Sequence, residues 1–147
     1  MTYVPYKLFL LPTMGSLERD GLNTFLDKEA ENISLYLPWL SAEVLVRYGA
    51  TTLLRLIDAE GSRKISLAKL SHYIEIDASL TKVIDIYTDC ADYVDIQSVS
   101  GFIESLRKYC VAQLIQQQKP SLEIIKCTGV SLRTVQRCLS SSRKKAA

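Results

Sequence analysis

The sequence predicts a mostly α-helical fold, in which a helical body precedes a C-terminal unit of three helices. The first observation is that apolar residues recur every three or four positions through most of the 147 residues, which is the period of an amphipathic helix. The second is that most of these stretches begin at a serine or aspartate that can cap a helix and end at glycine or proline. The third is that only residues 92–97 alternate between apolar and polar side chains as a strand does.

The first 15 residues contain a short apolar segment, YKLFLLP, which is expected to form a strand or an arm that packs on another part of the protein. Its longest unbroken apolar run covers residues 8–11, whereas a helix that crosses a bilayer needs about 20 residues. The start is too weakly basic and the apolar stretch too brief for a secretory signal. We therefore expect a cytoplasmic protein with no membrane partner.

Two helices are predicted in the N-terminal third of the chain. The first covers residues 16–37, with Ser16 as its cap and Pro38 as the residue that ends it. Its apolar stripe consists of Leu22, Phe25, Ile33 and Leu35. The second helix is expected to begin at Ser41, which can cap it, and to stop at Gly49.

Residues 51–98 are predicted to form three helices followed by a strand. The first helix ends at Gly61, and the next two begin at Ser66 and Asp77, whose side chains can cap them. The apolar faces of the second and third helices consist of Leu67, Leu70, Tyr73, Ile74, Leu80, Val83, Ile84 and Tyr87. This order resembles a degenerate winged helix, with Glu75 in the turn where glycine is common.

The third helix of this unit is acidic, and its charge bears on what the unit binds. Asp85 and Asp89 stand against a single Lys82, and a duplex with one negative charge per ~1.7 Å would repel that surface. We therefore expect the unit to pair with protein rather than with DNA. Tyr87, Tyr93 and the strand would then form a dimer surface, or else they belong to the core.

Residues 100–142 are predicted to form three more helices. The first carries Ile103, Leu106, Cys110 and Leu114 on one face. It ends before Pro120, and Ser121 is expected to cap the second helix. Gly129 then forms a turn, and Ser131 caps the last helix.

Charge is distributed unevenly along the chain. The formal net charge is +2, but residues 1–98 hold nine Lys and Arg against fourteen Asp and Glu, whereas residues 99–147 hold nine against two. A basic third attached to an acidic body is typical of a protein that meets a polyanion with one part only. We predict two domains, an acidic body at 1–98 for dimerisation or docking and a basic domain at 99–147.

The last two helices fit the helix-turn-helix motif residue by residue. Gly129 can adopt the positive φ that a tight turn needs, Val130 can fill the gap between the helices, and Ser131 can cap the recognition helix. The side chains expected to form a small core are Ile124, Ile125, Val135, Cys138 and Leu139. Those expected toward solvent are Leu132, Arg133, Thr134, Gln136 and Arg137. Such a face has donors and acceptors suited to a major groove about 12 Å wide.

The stretch 124–139, IIKCTGVSLRTVQRCL, resembles the helix-turn-helix of bacterial and phage DNA-binding proteins, in particular resolvases, transposases and small regulators. The resemblance covers residues 102–142. Two positions depart from the usual pattern. Ile125 stands where alanine is common, which is expected to widen the helix crossing, and Thr128 replaces the apolar residue before the glycine.

This resemblance implies sequence-specific binding of duplex DNA by the helix at 132–142. Arg133 and Gln136 are the best candidates for base contacts, because arginine suits guanine and glutamine suits adenine. Thr134 and Arg137 would contact bases or phosphates. The expected phosphate contacts are Ser121, Lys126, Ser131, Arg143, Lys144 and Lys145.

The resulting hypothesis is a transcriptional regulator of bacterial or phage type. It is expected to be a homodimer, because helix-turn-helix dimers read two half-sites about one helical turn apart. RNA polymerase or a second regulator is the other candidate partner of the acidic body. RNA is a weaker candidate ligand, since the basic third has only Phe102 and Tyr109 as aromatic residues and both occupy core positions.

Two alternatives stay open beside this hypothesis. One is an accessory DNA-binding or protein-interaction factor of a replication, partition or conjugation complex. The other is a regulator that resembles the Mor activators of phage Mu, which also place a helical body and a strand before a C-terminal helix-turn-helix.

An enzyme is the least favoured class, and neither a metal nor a cofactor is predicted. The single histidine is His72, and the chain has no nucleotide-binding, serine-hydrolase or zinc-protease motif. The cysteines are Cys90, Cys110, Cys127 and Cys138. They form no closely spaced pair of the kind that zinc sites use, so reduced and buried thiols are expected.

Overall fold

A computed structural model describes residues 16–88 and 92–146 of the chain, and it is mostly helical, as the sequence predicts. The described helices are α1 (Ser16–Lys28), α2 (Ala30–Ser34), α3 (Trp39–Tyr48), α4 (Ala50–Glu60), α5 (Leu67–Leu70), α6 (Ala78–Tyr87), α7 (Val99–Gln116), α8 (Ser121–Thr128) and α9 (Leu132–Ala146). The strands are β1 (Lys64–Ser66) and β2 (Tyr93–Asp95). The strand or arm expected within the first 15 residues lies outside the described residues, as do Asp89 and Cys90.

The chain divides into two compact units, and the division differs from the predicted domains. The second unit comprises residues 26–102, and the first comprises the described residues on either side of it. Helix α1 therefore groups mainly with the C-terminal helices and not with the body. One reason is an aromatic contact, because the rings of Phe25 and Tyr109 are both buried with centroids 6.1 Å apart. Such a contact between distant segments leaves no trace in the charge pattern that placed the boundary between 98 and 99.

The predicted helix at 16–37 is two helices in the structure. Leu22, Phe25 and Ile33 are buried as expected, but Leu35 is 82 % exposed, so that part of the prediction is wrong. The reason is that α2 ends at Ser34 and the chain turns there, which takes Leu35 off the buried stripe.

Helix α3 begins earlier than predicted. It starts at Trp39 with Pro38 as its N-cap, so Ser41 is not a cap. Ser41 is instead buried inside the helix, where its hydroxyl donates to Gln97 Oε1 at 3.0 Å. The predicted end at Gly49 is confirmed, and its φ of 95° is a conformation that favours glycine. The following N–H, of Ala50, donates to Asp27 Oδ1 at 2.7 Å.

The strand predicted within residues 92–97 is confirmed as β2, and it pairs with a strand that was not predicted. Strands β1 and β2 are antiparallel, with Ile65 opposite Val94 and both side chains buried. Three residues are too few to show an alternating pattern, and β1 leads straight into α5, which explains why the sequence did not indicate it.

The capping residues of α5 and α6 are those that the sequence predicts. Ser66 Oγ accepts from the N–H of Lys69 at 3.2 Å, and Asp77 Oδ1 accepts from the N–H of Leu80 at 2.7 Å. Helix α5 is shorter than expected, since it ends at Leu70. The observed order is α4, β1, α5, α6, β2. The resemblance of this unit to a winged helix stays a prediction.

A buried carboxylate ties α4 to the turn after α5. Glu60 is nearly inaccessible, and its Oε1 accepts from the hydroxyl of Tyr73 at 3.0 Å. Its Oε2 lies 3.3 Å from Lys69 Nζ and 3.8 Å from Arg63 Nη1. Burial alone would raise the pKa of Glu60, but the hydrogen bond from Tyr73 and the positive charges of Lys69 and Arg63 outweigh it, so the pKa is lowered.

Glu60→Gln is expected to lower the stability of the second unit at neutral pH and to flatten its acid dependence. Because the pKa of Glu60 is below its ordinary value of 4.5, its stabilisation is present above that pH and is lost as the pH falls through the folded-state pKa. Thermal unfolding midpoints at about pH 7 and about pH 3 would measure this. Glu104→Gln, at an exposed ion pair, is the control. Equal acid sensitivity of Glu60→Gln and the wild type would contradict the assignment.

Candidate nucleic-acid interface

Helices α8 and α9 are joined by a three-residue turn of the kind that the sequence predicts. Gly129 has φ 74° and ψ 8°, which is the left-handed conformation, and its N–H donates to the carbonyl of Ile125 at 2.9 Å. An L-residue with a side chain reaches this conformation only at a cost of about 1–2 kcal/mol. The glycine therefore sets the direction in which α9 leaves α8.

The two helices pack with α7 on one small apolar core. Its buried members are Val111, Leu114, Ile124, Cys127 and Val135. Half-buried side chains at its edge are Ile115, Ile125, Val130, Cys138 and Leu139. The predicted core is thus confirmed, and Val130 fills the place expected of it. Cys127 was missed, although its spacing of three from Ile124 puts both on the same side of α8.

Thr128, one of the two departures from the usual motif, is accommodated by hydrogen bonds. It is fully buried, and its hydroxyl donates to the carbonyl of Ile124 at 2.8 Å. The same oxygen accepts from the N–H of Val130 at 3.4 Å. A buried hydroxyl with both a donor and an acceptor partner avoids most of the desolvation cost, so threonine is tolerated at an otherwise apolar position.

The start of α9 is capped as predicted, and the cap involves one of the predicted base-reading residues. Ser131 Oγ accepts from the N–H of Thr134 at 3.2 Å. The hydroxyls of Ser131 and Thr134 also lie 3.0 Å apart, within hydrogen-bond distance. Thr134 is half-buried, and its hydroxyl lies against the Ser131 cap.

The start of α8 differs from the prediction, because Pro120 and not Ser121 is the N-cap. Ser121 is the first helical residue and makes no capping hydrogen bond, while the carbonyl of Pro120 accepts from the N–H of Ile124 at 3.1 Å. The N–H of Glu123 also donates to the carbonyl of Pro120, at 3.0 Å, so a phosphate at this helix start would be bound by the N–H groups before it. The exposed carboxylate of Glu123 lies in that same turn and opposes a phosphate there.

The outer face of α9 carries the exposed polar side chains that the sequence predicts. Arg133, Gln136 and Arg137 are exposed, and their spacing of three and four residues places them on one side of the helix. Lys126 is exposed on α8. Among the described residues, no acidic side chain forms an ion pair with these cations.

Three of the predicted phosphate contacts are in the last turns of α9. The backbone there is helical, but the side chains of Arg143, Lys144 and Lys145 fall outside the described residues. Within the described part of this unit, the one ion pair is Arg107 Nη1 with Glu104 Oε1, at 2.8 Å on α7. The described cations near the turn are therefore exposed to solvent without an acidic partner among the described residues.

Gly129→Ala is expected to destabilise the α8–α9 unit by about 1–2 kcal/mol, whereas Gly129→Asn should cost less, because asparagine enters the left-handed region more readily. Chemical denaturation followed by circular dichroism would measure the difference. The control is Gly21→Ala in α1, where nothing lies within 4 Å of the added Cβ, and it should stabilise by about 0.5–1 kcal/mol. An alanine at position 129 as stable as the wild type would contradict the role given to this turn.

The thiols near this surface are packing groups. Cys110 and Cys127 are free and buried, as the sequence predicts, and Cys138 is half-buried. Burial raises the pKa of the Cys110 thiol to about 12, with a further contribution from Cys127. In residues 16–88 and 92–146 no group of three or more His, Cys, Asp and Glu side chains is placed to hold a metal ion. His72 is exposed in the turn that follows α5.

Comparison with known proteins adds no relative. No protein-family model matches this chain, and no curated protein or solved structure matches it. Over the part of the chain that the structure describes, no helix has both the length and the apolarity to cross a bilayer.

Proposed function

We propose that this protein is a cytoplasmic transcriptional regulator that binds duplex DNA in a sequence-specific manner, with α9 in the major groove. The observation that carries the proposal is the exposed trio Arg133, Gln136 and Arg137 on one side of α9. That helix is held by a left-handed glycine turn and a serine cap. A helix presented in this way, with its N-terminal residues toward the ligand, is how helix-turn-helix proteins reach base edges.

The chemistry of the trio suits base recognition. An arginine can donate two hydrogen bonds to O6 and N7 of guanine, and a glutamine can pair with N6 and N7 of adenine. Residues 133 and 137 are about 6 Å apart along the helix axis, since each residue rises about 1.5 Å. That length matches roughly two base-pair steps of about 3.4 Å, so the trio is expected to read a short run of adjacent base pairs.

The remaining predicted contacts would supply affinity without sequence preference. Lys126 is exposed on α8, and Ser121 and Ser131 lie at the starts of the two helices. Together with Arg143, Lys144 and Lys145 they would bind phosphates, so affinity should fall steeply with salt. Lys126→Ala is expected to weaken binding by a similar factor on every duplex and to lower the salt slope by about one.

The experiment that tests the proposal is selection of bound duplexes from a random pool, followed by affinity measurements at several salt concentrations. A recurring consensus that Gln136→Ala alters at one position would support a sequence-specific regulator. Gln116→Ala, at an exposed glutamine on α7, is the matched control and should leave the consensus unchanged. Tight binding without any consensus would favour the accessory role instead, and no binding at all would overturn the proposal.

A further inference from the structure

The second unit exposes a cluster of large apolar side chains where α2 leads into α3 and where α6 ends. The cluster, which we call the Trp39 patch, consists of the exposed side chains of Leu35, Tyr36, Ile86 and Tyr87 and the half-buried ring of Trp39. The rings of Trp39 and Tyr87 are stacked, with centroids 5.3 Å apart and planes inclined by 7°. Ile86 is 76 % exposed and Tyr87 is 59 % exposed, so this stack does not bury the surface around it.

Two side-chain contacts show that α3 and α6 run in opposite directions, which brings the start of α3 to the end of α6. Trp39, at the start of α3, meets Tyr87 at the end of α6. At the other end, Arg47 Nη2 donates to Ser79 Oγ at 3.1 Å. Leu35 precedes Trp39 by four residues, so their Cα atoms are at most about 14 Å apart.

The composition of the patch is that of a protein-binding surface. Tryptophan and tyrosine contribute much of the energy at protein interfaces, because they bury a large area with few rotatable bonds. Exposed apolar side chains that cluster over several hundred Å² often mark a functional surface. The exposed carboxylate of Asp85 beside the patch disfavours nucleic acid as its ligand.

We infer that the Trp39 patch binds the same patch of a second copy of this chain, around a two-fold axis. The charges beside the patch make it self-complementary. Lys82 and Asp85 are both exposed next to Ile86, and neither forms an ion pair with a described residue. When α6 packs antiparallel to its copy and the two-fold axis crosses the helix midway between positions 82 and 85, each Lys82 faces the Asp85 of the other protomer.

The size of the patch sets the expected strength of the dimer. If each of the five side chains exposes on the order of 100 Å², two copies bury about 1,000 Å² in total. That area lies at the low end for specific complexes, so we expect a weak dimer, with a dissociation constant of about 10–100 µM. The next expectation rests on the proposed function. If the protein binds an operator with two half-sites, binding of both protomers to one DNA molecule would strengthen the dimer.

The first test is sedimentation velocity of the full chain without DNA, at protein concentrations from about 1 to about 200 µM. The wild type is expected to shift from monomer to dimer over this range. Ile86→Lys should stay monomeric, because it places an ammonium in the apolar part of the contact. The matched control is Leu122→Lys, at an equally exposed leucine on α8, and it should dimerise like the wild type.

The second test separates a second copy from any other occupant. Lys82→Asp and Asp85→Lys should each weaken the dimer about three- to tenfold, because each brings like charges together across the axis. The double variant restores opposite charges and should recover the wild-type dissociation constant. A wild type that stays monomeric, because residues 1–15 or another protein occupy the patch, overturns the inference. A dimer that Ile86→Lys leaves intact, or a double variant that does not recover, also overturns it.

Failure of this inference and failure of the proposed function are distinguishable. Arg133→Ala should dimerise like the wild type while its operator binding becomes weaker and less discriminating. Ile86→Lys should bind a single half-site as tightly as the wild type but lose cooperative binding to a paired site. A monomer that selects an operator overturns only the dimer, and a dimer that selects none overturns only the regulator.

Discussion

Arg133→Ala is expected to weaken binding to the selected operator by about 1–3 kcal/mol, which is roughly 5- to 150-fold. The side chain is exposed in the first turn of α9 and has no ion pair among the described residues, so its removal does not disturb the fold. The loss arises because a bidentate contact to guanine disappears. Fluorescence anisotropy with the operator and with its single-base variants would measure both the loss and the relaxed discrimination.

The control for Arg133→Ala is Lys108→Ala, which removes an exposed cation from α7. It lowers the net charge by the same amount but is expected to leave discrimination between operators unchanged. If both variants lowered affinity equally on every duplex, Arg133 would be a phosphate contact, and the role of base-reading residue would pass to Gln136 or Arg137.

Ile124→Ala is expected to cost about 2–5 kcal/mol, enough to unfold much of the α8–α9 unit. Ile124 is completely buried between α7, α8 and α9, at the centre of a core that has few other large side chains. The shorter side chain would leave a cavity. Because the turn at Gly129 fixes α9 relative to α8, the two helices would not close together to fill it. Urea denaturation followed by circular dichroism would give the change in free energy of unfolding.

Leu122→Ala is the matched control, since it shortens a leucine two positions away on the same helix. That side chain is 80 % exposed, so the change should stay within about 0.5 kcal/mol. A cost for Ile124→Ala as small as that of the control would mean that α8 does not pack as described.

Caps and tight turns were predictable from the sequence because they depend on neighbouring residues only. Ser66, Asp77 and Ser131 each accept a hydrogen bond from an N–H three residues ahead. Gly129 has the positive φ expected of it. Ser41 and Ser121 failed as caps because each helix begins before the predicted position, with Pro38 and Pro120 as the N-cap residues.

Contacts between distant segments were not predictable in the same way. The strand β1 exists because Ile65 pairs with Val94, nearly thirty residues away. The grouping of α1 with the C-terminal helices involves Phe25 and Tyr109, and nothing in either local sequence indicates the other. On the candidate interface, the sequence predicted exposure for Thr134 but not the hydroxyl contact with Ser131 that occupies it.

The residues of α9 that maintain the fold are different from those proposed to contact DNA, and this separation bears on how the binding specificity can evolve. The inward side chains of α9 and the Ser131–Thr134 cap maintain the fold, whereas Arg133, Gln136 and Arg137 make no described contact that the fold needs. On the proposed function, these three positions can be exchanged for other polar residues at little cost in stability. A library restricted to them would then yield folded variants with new target sequences, so specificity could evolve without compensating changes in the interior.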